Sequence, residues 1–95
     1  MSIRYLLNSS DEGTLFLFEN KNIKIILGFI NITSNEESIY NFNLVNDINL
    51  NTRLCLTQSD TNEYYSFVSQ IKNNKLIIPS GNMSLGKYLA FSFFN

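Results

Sequence analysis

The stretch Tyr64–Ile78, which reads YYSFVSQIKNNKLII, decides the fold. Its first half alternates, and a strand over residues 64–71 places three apolar side chains on one face: Tyr65, Phe67 and Ile71. Asn73 and Asn74 follow, and asparagine tolerates the positive φ that a two-residue hairpin turn requires. Residues 75–78 are the predicted return strand. The stretch therefore predicts an antiparallel β-hairpin.

The same period-two alternation recurs on both sides of this hairpin. Further strands are predicted over residues 3–7, 14–19, 23–33, 40–45, 48–56 and 87–94, separated by turns rich in Asn, Asp, Ser and Gly. In the strand 23–33 the apolar parity changes at Gly28, which predicts a bulge or sharp bend at Gly28-Phe29. Seven or eight such strands predict an all-β fold, with residues 1–95 forming one domain. Its architecture is an antiparallel β-sandwich or a small barrel.

Composition and charge narrow the range of partners. The net charge is −1 and the seven Lys and Arg residues are scattered, whereas a nucleic-acid binder clusters them on one face. No segment approaches the roughly 20 apolar residues that cross a bilayer. Charged residues make up only 16% of the chain, against about 25% in ordinary domains. We therefore expect no nucleic acid partner, no membrane insertion, and a weakly charged surface that other protein can cover.

The residue types that carry most enzyme chemistry are missing. The chain has no histidine, which removes the commonest general base and metal ligand. Cys55 is a conceivable reactive thiol, but its mid-strand position favours a small filler residue. The paired carboxylates fall in predicted loops; one of these, Ser59–Glu63, is only faintly like a calcium loop, so solvated charge is the preferred interpretation. We expect no enzyme, no cofactor and no metal.

Aromatic and polar side chains at the loops form the predicted partner-binding site. Rings stack on the apolar faces of sugars while polar groups bond hydroxyls. The predicted residues are Asp60, Asn62, Glu63 and Tyr64, with Glu36 and Tyr40 as a second patch. The alternative is that the tyrosines simply fill the core or an interface.

The final strand is apolar on both faces. Leu89, Phe91 and Phe93 share one face, while the other carries Tyr88 and Ala90 with Phe94. A strand of this kind must be covered by protein on both sides, and a chain this short has enough residues to cover only one of them. A second copy is the predicted cover, through an interface of Phe16, Phe18, Tyr88, Ala90, Phe91, Phe93 and Phe94. The alternative is a barrel too small to have a polar outside everywhere.

The strand order over Ile23–Asn95 resembles the receptor-binding heads and related small β-domains of bacteriophage tail fibres and baseplates. A strand like Ile25–Ile32 precedes a polar loop, and one like Tyr40–Val45 and a middle hairpin follow. A turn and strand like Lys72–Ile78 then lead to a last strand like Gly86–Phe94.

This resemblance implies a virion component that forms a trimer and binds a host cell-surface saccharide or a neighbouring tail protein. The chain departs from the family at Leu44–Asp47, where a Leu-Pro and a further proline are usual. No site residue carries over, because no motif aligns residue by residue.

A second hypothesis makes the chain a small phage- or bacterium-encoded inhibitor that docks on a host enzyme or defence protein. The amino terminus lacks the long apolar run of a secretory signal, and the single cysteine suits a reducing compartment. The expected location is the virion under the first hypothesis and the cytoplasm under the second.

Overall fold

In a computed structural model of the chain, residues 1–43, 48–59 and 64–95 are described, and they form eight strands without a helix. The strands are β1 (Ser2–Ser9), β2 (Gly13–Glu19), β3 (Lys24–Ile32), β4 (Ser38–Asn41), β5 (Thr52–Ser59), β6 (Tyr64–Lys72), β7 (Lys75–Ile78) and β8 (Gly86–Phe94).

All neighbouring strands pair antiparallel in one sheet, in the order β1-β2-β3-β8-β5-β6-β7-β4. The sheet curls so that its two edge strands approach each other. Asn43, just after β4, donates its N–H to the Leu6 carbonyl of β1 at 2.8 Å. The sheet is therefore a nearly closed barrel, which confirms the predicted all-β antiparallel fold in its barrel form.

The predicted hairpin between β6 and β7 is confirmed. Asn73 and Asn74 occupy the turn with φ of 50° and 63°. The Asn74 side chain also holds the segment before β5, accepting from the Leu50 N–H and donating to the Ile48 carbonyl at 2.8 Å. Because this segment bonds to a turn, β5 begins at Thr52 and not at residue 48 as predicted.

A bulge or a sharp bend was predicted at Gly28-Phe29, and the bulge is wrong. The register runs unbroken through this residue, with Leu15 opposite it on β2 and Ala90 opposite it on β8. Gly28 instead permits close strand contact, because its φ is +151° and an added Cβ would lie 2.0 Å from the Thr14 carbonyl oxygen. The parity of the apolar residues changes along the sequence because the outer side of β3 carries apolar residues as well as the inner side.

The ladder irregularity lies in β1. The register between β1 and β2 shifts between Tyr5 and Leu7, and Leu6 is the extra residue. Leu6 and Leu7 are both buried, which the strand could not achieve with regular alternation.

Aliphatic side chains on the inner side of the strands fill the barrel. The fully buried ones are Leu6, Leu15, Leu17, Ile26, Ile30, Ile32, Leu54, Leu56, Ile71, Leu76 and Ile78, together with Tyr88. This core leaves the outer sides of β1, β2, β3 and β8 to solvent.

Candidate interaction surface

The two faces of β8 have opposite surroundings. Tyr88, Ala90 and Ser92 are buried in the barrel. On the outer side, Leu89 is 65% exposed, Phe91 49% and Phe93 58%. The strand is thus apolar on both faces, and its own barrel covers only one of them.

The exposed side chains of β8 continue sideways across the sheet. Phe91 lies opposite Leu27 of β3 and Cys55 of β5, and these lie opposite Phe16 and Val68 respectively. Cross-strand partners point to the same side of a sheet, so they form an unbroken row. We call the whole surface the outer apolar face and define it as Ile3, Tyr5, Phe16, Phe18, Ile25, Leu27, Phe29, Cys55, Val68, Leu89, Phe91 and Phe93.

Aromatic contacts order one side of this face. The rings of Tyr5 and Phe16 lie 4.6 Å apart between centroids, and those of Phe16 and Phe18 lie 6.2 Å apart. At the rim, the Lys87 ammonium lies 4.3 Å from the centroid of the Phe29 ring. That cation–π contact keeps a charge beside the face without placing one inside it.

The outer apolar face is larger than ordinary surface patches. Its most exposed members are Ile3, Tyr5, Leu27, Val68, Leu89, Phe91 and Phe93. With roughly half of each side chain in water, each exposes about 100 Å², which gives about 700 Å² together. The largest patch on a typical monomer is about 300–600 Å² and is often functional.

A shallow groove lies within this face. The β5–β8 ladder covers only Cys55–Thr57 and Leu89–Phe91, so the two strands separate beyond it. The Ser92 hydroxyl bridges the gap by donating to the Arg53 carbonyl at 2.6 Å. The groove is lined by Phe91, Phe93, Cys55 and Val68 among others, with Arg53 at its polar end.

The predicted interface residues divide between the two sides of the sheet. Phe91 and Phe93 are exposed on the outer apolar face, and Phe16 and Phe18 are half-buried members of it. Phe94 is half-buried and packs against the core. Tyr88 and Ala90 belong to the core itself, so their prediction as interface residues was wrong: their parity points them into the barrel.

Leu27, Leu89, Val68, Ile3 and Tyr5 were missing from the prediction. The signal for Leu27 was present in the sequence, because Ile23, Ile25 and Leu27 share one parity while Ile30 and Ile32 have the other.

The structure describes three of the six predicted ligand-binding residues. Tyr64 is 70% exposed at the start of β6, and Glu36 is exposed in the loop before β4. Asp60, Asn62 and Glu63 lie outside the described residues. Tyr40 is buried, which corrects its prediction as a surface residue.

Buried hydroxyls explain the inward tyrosines. Tyr40 donates to the Asn31 carbonyl at 2.6 Å and Tyr88 donates to the Ser84 carbonyl at 2.5 Å. Burial raises the pKa of the Tyr40 phenol above its usual 10.0, and the Glu12 carboxylate raises it further. Burial also raises the pKa of Tyr88. Both tyrosines are therefore core residues whose hydroxyls are hydrogen-bonded.

Among the described residues, no group of three or more His, Cys, Asp or Glu side chains is placed to hold a metal ion. The same part of the chain contains no helix that is long and apolar enough to cross a membrane. The sequence and structure match no protein-family model, no curated protein and no solved structure. The resemblance to phage tail domains therefore stays a prediction.

Proposed function

We propose that this chain is a non-enzymatic assembly module that binds further copies of itself through the outer apolar face. The observation that carries the proposal is the row Tyr5, Phe16, Leu27, Phe91, Cys55 and Val68, which crosses six strands on the solvent side of the sheet. Antiparallel sheets with one solvated face ordinarily alternate apolar inside and polar outside.

The size and charge of the face support a protein partner. A stable interface buries about 800 Å² on each partner, close to the estimated 700 Å² of exposed apolar side chain. The alternative of a barrel too small to be polar outside is disfavoured by β5 and β6, whose outer positions are mostly polar, as at Arg53, Ser66 and Gln70. The members of the outer apolar face other than Cys55 and Val68 lie on four adjacent strands, β1, β2, β3 and β8.

A second copy is the partner that the charge pattern favours. The members of the outer apolar face are uncharged, so two copies of it meet without the like-charge repulsion that discourages self-contact. The resemblance to tail-fibre heads supports three copies and a place in a virion. In such an assembly the exposed Tyr64 and Glu36 would remain available to a host saccharide or a neighbouring tail protein.

Sedimentation velocity over about 1–100 μM protein tests the proposal, a range that brackets micromolar interfaces. We expect the weight-average mass to rise with concentration from the 10.9 kDa chain toward a trimer. A chain that stays monomeric throughout this range would refute self-association and favour the inhibitor hypothesis. A glycan array separates the roles of an assembled chain: a silent array would leave assembly intact but remove saccharide binding.

A further inference from the structure

Strand β6 is only partly covered on the side that faces β7. The β6–β7 ladder comprises Gln70–Lys72 and Lys75–Ile77, and the chain leaves the sheet at Pro79. Proline has no N–H to donate and cannot extend the ladder. Within the described residues, the stretch Tyr64–Val68 therefore has β5 on one side and no strand on the other.

The hairpin geometry identifies the backbone groups on this open edge. In a two-residue hairpin the flanking residues, here Lys72 and Lys75, exchange both main-chain hydrogen bonds. The main-chain hydrogen-bonding groups of successive residues in β6 point alternately toward β7 and toward β5, so Gln70 also bonds toward β7. By continuation, Val68 and Ser66 direct their N–H and C=O groups toward the open side. Val68 is 59% exposed and Ser66 is exposed.

An apolar pocket of about 370 Å³ lies directly beside this edge. It separates β6 from the segment 79–83 and is lined by Tyr65, Phe67, Pro79, Met83 and Tyr88 among others. The rings of Phe67 and Tyr88 meet edge to face with centroids 5.4 Å apart, which gives the pocket an aromatic floor. The Gly81 N–H donates to the Asn35 carbonyl at 3.0 Å and so ties this segment to the loop before β4.

We propose that the open edge of β6 binds an extended segment of a different protein, which adds to the sheet in line with β7. Its main chain bonds Ser66 and Val68, and the side chain opposite Phe67 enters the pocket, because cross-strand partners point to the same side of a sheet. That side chain is apolar, to match Phe67, Met83 and Tyr88.

The pocket also favours a different protein over a second copy. If β6 of another copy paired here, the residues available for the pocket would be its own Tyr65 and Phe67. These side chains already pack against their own core. The occupant is therefore a strand with an uncommitted apolar side chain and without proline at the paired positions.

Nuclear magnetic resonance tests the site with a capped seven-residue peptide that alternates isoleucine and threonine between terminal lysines. We expect titration to shift the Ser66 and Val68 amide signals and to slow their hydrogen exchange. The same peptide, N-methylated at the amides that face β6, should not bind. Unshifted Ser66 and Val68 signals, or equal binding of the N-methylated peptide, would overturn the proposal.

The matched protein variants are Val68→Pro and Val68→Thr. Proline removes the edge N–H, so the peptide affinity of Val68→Pro should fall at least about tenfold. Threonine keeps this N–H and is similar in size to valine, so the affinity of Val68→Thr should stay within about twofold. Equal affinities in two folded variants would overturn the site. If Val68→Pro unfolds, the N-methylated peptide still decides.

Two further readouts separate this site from the outer apolar face. Phe91→Thr should leave peptide binding unchanged, because Phe91 does not line the pocket. In Phe91→Thr, whose association through the outer apolar face is weakened, concentration-dependent shifts of the Ser66 and Val68 amide signals without peptide would make a second copy the occupant of the edge and would overturn the assignment to a different protein.

Discussion

Replacing Phe91 by threonine should weaken self-association strongly. Phe91 lies at the centre of the outer apolar face, between Leu27 on β3 and Cys55 on β5. Threonine suits a strand because of its β-branched side chain, so the backbone pairing is retained. The substitution removes the ring and leaves the architecture in place.

The expected magnitude comes from the exposed half of the ring. A phenylalanine of about 200 Å² that is half exposed offers about 100 Å² to a partner. At about 25 cal/mol per Å² this contributes about 2.5 kcal/mol per copy, and each 1.4 kcal/mol is a factor of ten in affinity. The dissociation constant of the variant should therefore rise more than tenfold.

The other half of the ring contacts its own barrel, so folding should respond too. Losing those contacts should lower the free energy of unfolding by about 1–3 kcal/mol, below the cost of removing a fully buried aromatic ring. Urea denaturation at a concentration where the protein is monomeric measures this change separately. Sedimentation velocity then reports association among folded chains.

Tyr64→Thr is the matched control. Tyr64 is more exposed than Phe91 and also lies on a strand, but it is not part of the outer apolar face. Its removal should leave the dissociation constant within about twofold, since surface changes away from an interface have small effects. If Phe91→Thr associates as tightly as the unsubstituted protein, or if both variants weaken equally, the outer apolar face is not the interface.

Three further predictions concern the fold. Gly28→Ala should lower the free energy of unfolding by about 3 kcal/mol or more in urea denaturation, because its φ is +151° and its Cβ would meet the Thr14 carbonyl at 2.0 Å. Asn74→Gly should cost about 1–3 kcal/mol in the same assay, because glycine accepts the positive φ but loses the side-chain bonds to the segment before β5. Tyr40→Phe should make the free energy of unfolding depend less on pH above pH 10. Burial raises the pKa of Tyr40 in the folded chain, so the folded chain keeps this proton to a higher pH than the unfolded chain does. The stability that Tyr40 contributes is therefore present below pH 10 and is lost as the pH rises.

Each of these three has its own control. Gly81→Ala should leave stability within about 0.5 kcal/mol, because no heavy atom lies within 4 Å of its added Cβ. Asn73→Gly tests the other turn position, where the backbone N–H donates to the Asn51 side-chain oxygen at 3.0 Å. Glycine keeps that N–H, so the substitution should be nearly neutral. Urea midpoints from pH 8 to 11 test Tyr40→Phe. An unchanged slope there would show that Tyr40 does not carry the alkaline loss.

The strands and the hairpin could be predicted from the sequence because their causes are local. Alternation with period two identifies strands wherever one side is polar, as where Leu54 and Leu56 follow Asn51 and Arg53 of the opposite parity. The β6–β7 turn could be predicted because asparagine tolerates the positive φ that such a turn requires. The loop site could not be placed in this way, and Tyr40 was assigned to the surface because parity does not say which side of a strand is inside.

The sequence by itself determined that this chain is an antiparallel β-structure with more apolar side chains than one core can bury. Only the tertiary structure decided which of them stay outside, because that choice depends on how strands distant in sequence pair. β3 lies beside β8, so Leu27 meets Phe91 and their outer sides merge into one surface. The same pairing places Tyr88 and Ala90 inside the barrel, since a strand turns only one of its faces toward the core.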